Sequence, residues 1–171
     1  MLETKRLQIV EATEQDIETI IALESHKDNR NFLWIGTPEE HKAEIADPKQ
    51  FLFVFKKKEG GLIVGYALVR LDKKSDIFEL RRIAVSEKHV GFGKEAMIEL
   101  FRYAFEDLNS NRFWLDAFTD NIIGIKFYEG LGMHKDGILR ESDKSERGYL
   151  SQIIYSMLKV EYDQYREQGL L

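Results

Sequence analysis

The chain of 171 residues contains no cysteine. That absence excludes disulfides, thiolate metal sites and a cysteine nucleophile, and it fits a reducing cytoplasm. Proline is scarce, with only Pro38 and Pro48 present. No low-complexity linker or internal repeat divides the sequence, so one domain over residues 1–171 is expected. No apolar run approaches the roughly 20 residues of a membrane span. The opening Met1-Leu2-Glu3-Thr4-Lys5-Arg6-Leu7 lacks the apolar core of a secretory signal, and the expected location is the cytoplasm. An excess of basic charge is also missing. Lys and Arg number 25 against 30 Asp and Glu, for a net charge of −5. That balance argues against a nucleic-acid surface. It suits a cationic, amine-bearing partner, although solubility alone is a commoner reason for such a charge. His26, His41, His89 and His134 show no metal-ligand spacing, so no metal is expected and each reads as structural or exposed.

What is present describes a folded domain, with 43% hydrophobic and 32% charged residues. Thr13-Glu14-Gln15-Asp16 opens a helix carrying Ile17, Ile20, Ile21 and Glu24. Thr37-Pro38-Glu39-Glu40 is a stronger start signal, with an N-cap threonine, proline at the first position and Glu40 closing a capping box. Strands are predicted at Phe51–Phe55 and Leu62–Leu71, joined by the charged turn Lys56–Gly61, and then at Ile77–Val85. Met97, Leu100, Phe101, Ala104, Phe105 and Leu108 recur at helical spacing and predict a helix over Phe92–Leu108. Arg112–Phe118 reads as a strand, Asn121–Leu131 as a short helix, and Met133–Leu139 and Leu150–Leu158 as two closing strands. The order implies an α+β layout around one mixed sheet rather than a repeated βαβ unit.

The junction Val85-Ser86-Glu87-Lys88-His89-Val90-Gly91-Phe92-Gly93-Lys94 is the chemically informative stretch. A strand ends, a glycine loop follows, and a long helix begins. Such a junction aims unpaired N–H groups and the positive end of a helix dipole at an anion. A nucleoside-triphosphate loop needs glycine five positions before Gly93 and Ser or Thr after Lys94, but Lys88 and Glu95 stand there. A dinucleotide fingerprint belongs in an early βαβ unit, whereas this loop follows antiparallel strands.

Lys88-His89-Val90-Gly91-Phe92-Gly93 resembles the (Gln/Arg)-x-x-Gly-x-(Gly/Ala) acetyl-CoA motif of the GNAT acyltransferase superfamily, with lysine in place of Gln or Arg. The following Lys94-Glu95-Ala96-Met97 looks like the helix start of the ribosomal-protein and spermidine N-acetyltransferase branches. Asn121-Ile122-Ile123-Gly124 and Lys126-Phe127-Tyr128, continuing to Gly132-Met133, resemble the family segment Asn-x-x-Ala-x-x-x-Tyr-x-x-x-Gly-Phe. Gly124 and Met133 replace its alanine and phenylalanine. Leu2–Leu7 resembles the family's opening strand, and Asp136–Glu141 and Ile153–Leu158 its closing ones. One departure is a short Ser86-Glu87 link before Lys88, where many relatives carry about two more residues; it leaves the register of the thioester strand open.

The resemblance implies a GNAT-type acyl-CoA N-acyltransferase fold and an acetyl-CoA-dependent N-acetyltransferase acting by direct transfer to an amine-bearing small molecule or a protein N-terminus. No nucleic-acid or membrane partner is implied, and a homodimer is compatible. It further implies a pyrophosphate cradle of His89, Val90, Gly91, Phe92, Gly93 and Lys94, with positive charge from Lys88 and Lys94. A backbone donor within Ile83-Ala84-Val85 would polarise the thioester. Asn121 would touch the pantetheine, and Lys126 would meet the cofactor or sit on a solvated helix face. Tyr128 is the expected acid toward the departing thiolate. For the base, Glu79 is placed by alternation on one strand face with Arg81, Ile83 and Val85, and Asp116 competes with it. Asn29–Gly36, with Trp34, marks the expected acceptor side, and Glu24, Glu79 and Asp116 together would favour a cationic amine. A non-catalytic acyl-CoA-binding module is the alternative, and a nucleotide-binding protein comes third.

Overall fold

The structure is a computed structural model and describes residues 2–171. Its strands are β1 (Leu2–Glu3), β2 (Leu7–Glu11), β3 (Gln50–Lys57), β4 (Ile63–Asp72), β5 (Ile77–Val85), β6 (Arg112–Phe118), β7 (His134–Ser145) and β8 (Gly148–Leu158). The helices are α1 (Ile17–Ser25), α2 (Pro38–Ala46), α3 (Phe92–Arg102), α4 (Ile122–Gly130) and α5 (Lys159–Glu167). One sheet runs β1-β2-β3-β4-β5-β6-β8-β7. All its pairings are antiparallel except β5–β6. The α+β architecture with a mixed sheet is therefore the expected one.

Helices cover the sheet on both faces. On one, Phe78, Leu80, Phe113, Leu115, Tyr155 and Met157 pack with Met97, Leu100 and Phe101 of α3 and with Tyr162 of α5. On the other, Val54, Tyr66, Leu68 and Ala84 pack with Ile20 and Leu23 of α1, and Ile45 of α2 leans on this smaller layer. The capping box at α2 forms as read: Glu40 N–H donates to Thr37 Oγ1 at 3.2 Å, and Thr37 N–H donates to Glu40 Oε2 at 2.8 Å.

Several elements depart from the sequence reading. The opening segment Leu2–Leu7 is not one strand: β1 ends at Glu3 and β2 begins at Leu7, with the Thr4 N–H bonded to the Leu7 carbonyl across the turn between them. The helix expected over Phe92–Leu108 is α-helical only to Arg102 and then widens into a π-helical turn, Tyr103–Asp107. Leu108 N–H reaches the Tyr103 carbonyl at 3.0 Å. Arg102 holds the widened turn by gripping both Glu99 and Asp107. The closing strands are longer than expected and meet in a hairpin at Ser145–Gly148, because their charged, half-exposed sequence hides the alternation. Finally α5 was not expected. It lacks a polar N-cap side chain, and Glu161 instead accepts the Leu158 N–H at 2.8 Å. Tyr162 anchors its buried side against Phe105 with ring centroids 4.9 Å apart.

Candidate active site

The two parallel strands at the centre pair for only three registers, Ile77↔Arg112, Phe78↔Phe113 and Glu79↔Trp114. Past that point β5 runs on along β4 to Val85, and β6 runs on along β8 to Phe118. The sheet thus opens into a notch whose walls are two strand edges. Backbone polar groups on those edges need partners that neighbouring strands do not supply. A slender amide-bearing chain laid into the notch would satisfy them.

A bulge shapes the β5 wall. Leu68 pairs with Arg82 and Val69 with Leu80, so Arg81 stands opposite nothing. One extra residue reverses the side-chain alternation beyond it. Phe78 and Leu80 therefore share the larger core with Ile83 and Val85, and Ala84 turns to the other layer. Glu79 lies on the face opposite Ile83 and Val85, which corrects the alternation drawn along an unbroken strand. Its Oε2 is held by Arg70 Nε at 2.6 Å, and Arg81 Nε stands 3.9 Å from its Oε1.

The glycine loop lies at the open end of β5. Gly91 is the N-cap of α3 at φ 89°, a left-handed backbone that disfavours a side chain. The first helical bond runs from Glu95 N–H to the Gly91 carbonyl at 3.0 Å. The N–H groups of Phe92, Gly93 and Lys94 come before it and remain available to an anion. His89 also has positive φ, at 65°, which curls the loop. Both His89 and Lys94 are exposed. Lys88 goes elsewhere: its Nζ donates to Asn29 Oδ1 at 2.6 Å. Burial holds that ammonium below its usual pKa range, with Asp28 acting the other way. Asn121 caps α4, its Oδ1 accepting Gly124 N–H at 3.0 Å. A methyl group built on Gly124 would come within 2.5 Å of Asn121 Nδ2, so a side chain there would require the capping amide to shift. Lys126 is exposed on α4.

Tyr128 is buried to 9% exposure, its ring centroid 6.0 Å from that of Tyr155 and 5.4 Å from that of Phe127. Burial raises its pKa far above the ordinary phenol range, and the nearby Asp116 charge adds to the shift. The phenol therefore stays protonated at any physiological pH. Asp116 is exposed on β6, close enough to Glu79 and Tyr128 for their charges and its own to interact. Loss of hydration raises its pKa, a hydrogen bond from Gln152 Nε2 at 2.7 Å opposes the rise, and the charge of Glu79 reinforces it.

On the acceptor side, Asn29 is buried and donates to the Leu23 carbonyl at 2.8 Å and the Val85 carbonyl at 3.4 Å. The segment from Asn29 to Gly36 thus does border the end of β5, with Trp34 at 66% exposure. Glu24 is not free to attract an amine. Its carboxylate is fully buried and accepts from Tyr66 Oη at 2.6 Å, Gly36 N–H at 2.9 Å, Arg82 Nη1 at 3.1 Å and His41 Nε2 at 3.1 Å. Glu44 completes the cluster, meeting His41 Nδ1 at 2.8 Å and Arg82 Nη2. The β7–β8 hairpin reaches over the same segment: Arg147 Nη2 donates to the Asn31 carbonyl at 2.6 Å, and Nη1 pairs with Asp120. Nothing in the local sequence pattern marks Arg82, His41 or Arg147, because their partners are distant in the chain. Among the described residues no group of His, Asp and Glu is arranged to hold a metal ion. No helix among them is long and apolar enough to cross a membrane.

A parallel strand pair thus splays beside a glycine-capped helix, and likeness to known proteins identifies the family. Residues 11–133 match the Acetyltransferase (GNAT) family, and the chain belongs to it. It is an N-acetyltransferase of that family. The uncharacterized N-acetyltransferase YoaA of Bacillus subtilis is 25% identical over 174 residues, covering 93% of this chain and 97% of its own. A probable acetyltransferase of Chromobacterium violaceum superposes with a TM-score of 0.84 at 17% identity, over 95% of this chain and 87% of its own. The spermidine/spermine N-acetyltransferase SpeG of Vibrio cholerae gives a TM-score of 0.77 at 18% identity, over 93% of this chain and 96% of its own. At such identities the structural likeness speaks to the fold alone.

Proposed function

We propose that this chain transfers an acetyl group from acetyl-CoA to a primary amine, which attacks directly without a covalent enzyme intermediate. The observation that carries the reading is the notch between β5 and β6 opening beside the Gly91 cradle. The residues fit the cosubstrate: N–H groups of Phe92, Gly93 and Lys94 suit the pyrophosphate, and the free strand edges suit the amides of its pantetheine. When bound, acetyl-CoA supplies the activated acetyl thioester.

The protein's own groups have three tasks. A backbone N–H of Ile83-Ala84-Val85, on an edge that β6 leaves unpaired, polarises the carbonyl; such a donor is worth about 3 kcal/mol in the transition state. Tyr128 donates a hydrogen bond or its proton to the leaving sulfur: the phenol is protonated at neutral pH, and the burial that raises its pKa favours hydrogen-bond donation over full transfer. Asp116, rather than Glu79, receives the amine proton directly or through water. Arg70 occupies Glu79, whereas Asp116 has no salt-bridge partner among the described residues, and hydration loss followed by the Glu79 charge raises its pKa. Asn121 at the N-cap of α4 would touch the pantetheine, and the exposed Lys126 is a further candidate contact of the cofactor.

The test is release of CoA thiol from acetyl-CoA across a panel of amino acids, polyamines, amine-bearing antibiotics and N-terminal peptides, run beside Tyr128→Phe. Acceptor-dependent release that drops roughly a hundredfold in the variant, at nearly unchanged acetyl-CoA affinity, supports the reading. Equal turnover in the variant removes Tyr128 from the proton path. Tight acetyl-CoA binding with no acceptor-dependent release favours a non-catalytic acyl-CoA-binding module.

A further inference from the structure

Arg6 stands against the glycine loop although it belongs to the start of the chain, just before β2. Its Nε donates to Glu95 Oε2 at 2.7 Å, and its backbone N–H donates to Glu95 Oε1 at 2.6 Å. Thr4 Oγ1 adds a further donor to the same carboxylate. Nη1 of Arg6 donates to the Val90 carbonyl at 3.0 Å, and the guanidinium carbon lies 4.6 Å from the centroid of the Phe92 ring. The remaining terminal nitrogen faces the cradle: a methyl group built on Gly91 would lie 3.2 Å from Nη2.

Position makes this arrangement consequential. Glu95 is in the first turn of α3, where its charge would oppose the phosphates that the helix end attracts. Nearby Lys57 is engaged by Glu87 at 3.0 Å, and Lys88 by Asn29 at 2.6 Å. Lys94, in the cradle itself, is exposed on the first turn of α3, whereas Arg6 both cancels Glu95 and keeps one nitrogen at the loop. We propose that Arg6 is a binding and positioning residue of the phosphate cradle, taking the role that sequence assigns to Lys88. It fixes the loop through Val90 and Phe92, neutralises Glu95, and presents Nη2 to the phosphates of CoA. The inference rests on the acetyl-CoA reading above.

Binding can test it without any acceptor. CoA affinity is measured by calorimetry, and acetyl-pantetheine, which lacks the phosphates, by ligand-observed NMR. Arg6→Gln is expected to weaken CoA about tenfold, to leave acetyl-pantetheine within about twofold, and to exceed the effect of Lys88→Gln. Adding Glu95→Gln to Arg6→Gln should recover much of the CoA affinity, because the exposed carboxylate is then gone. Equal losses for CoA and acetyl-pantetheine, or no recovery in the double variant, would reduce Arg6 to a brace of the fold. Wild-type CoA affinity in Arg6→Gln overturns the proposal outright. A wild-type protein that binds neither ligand instead overturns the acetyl-CoA reading.

Discussion

His41 Nε2 lies 3.1 Å from Glu24 Oε2, with both side chains fully buried. The same imidazole meets Glu44 at 2.8 Å through its other nitrogen, so both ring nitrogens face carboxylates and both carry protons. Burial works against that charge, but the hydrogen bonds to Glu24 and Glu44 outweigh it and raise the His41 pKa to about 9. In the unfolded chain the group titrates at its ordinary 6.5. A folded pKa above the unfolded one stabilises the fold fully below pH 6.5, and the contribution fades as pH rises through about 9. The melting temperature should therefore fall between these limits, by the equivalent of roughly 3 kcal/mol. His41→Gln should melt lower at neutral pH and lose that slope. An unchanged slope in the variant would show that His41 is neutral in the fold.

Glu24 ties α1, the Gly36 turn, α2, β4 and β5 together through one carboxylate. Removing its charge leaves Arg82 and the His41 cation sharing Glu44 alone. Glu24→Gln should cost roughly 3–5 kcal/mol, the penalty for a buried ion left short of its partner. Denaturant unfolding reads it. A loss under 1 kcal/mol would mean that water enters the cluster and replaces the carboxylate.

Legibility followed sequence distance. The strands with clear apolar runs, the Thr37–Glu40 capping box and the Gly91 junction are local patterns, and each is visible as written. The face of Glu79 was not, because a bulge is set by pairing between β4 and β5, and no residue at Arg81 announces it. The Glu24 cluster escaped for a related reason. Its members span 58 positions from Glu24 to Arg82, and a buried glutamate on a helix face looks like a solvated one until its partners are known. Arg6 and Arg147 likewise meet loops far along the chain. The family motifs point to the Gly91 loop and Tyr128 as site candidates, but they are silent on which charges this chain places around them.

Asp116 and Glu79 face the notch from neighbouring strands, and the charge on Glu79 raises the Asp116 pKa. Two separable effects on the pH profile of kcat/KM follow. Asp116→Asn should lower the rate and remove the limb that rises with pH as the base deprotonates. Glu79→Gln should keep the limb but move it to lower pH, since a neutral neighbour no longer disfavours ionisation of Asp116. If Glu79→Gln abolishes the limb and Asp116→Asn does not, the roles are reversed and Glu79 is the base.

Arg147 connects three loops at the mouth of the notch. Its guanidinium binds the Asn31 carbonyl and pairs with Asp120, and it lies 5.8 Å from the Phe32 ring centroid and 5.9 Å from that of Phe118. Asp120 precedes the Asn121 cap, so one side chain joins the β7–β8 hairpin, the acceptor-side segment and the entry to α4. At 34% side-chain exposure the contact adds only about 0.5 kcal/mol to global stability. Its effect should be local. Arg147→Ala is expected to melt within a few degrees of wild type, yet exchange backbone hydrogens faster at Asn31–Ile35 and across the hairpin tip. With the amine bound beside this segment, as proposed, the acceptor KM should rise more than the acetyl-CoA KM. Arg147→Lys keeps the charge but cannot span Asn31 and Asp120 at once, so it should restore only part of the protection. Exchange and acceptor KM both at wild-type values in Arg147→Ala would show that the hairpin is held by its own sheet pairing, and that the guanidinium merely rests there.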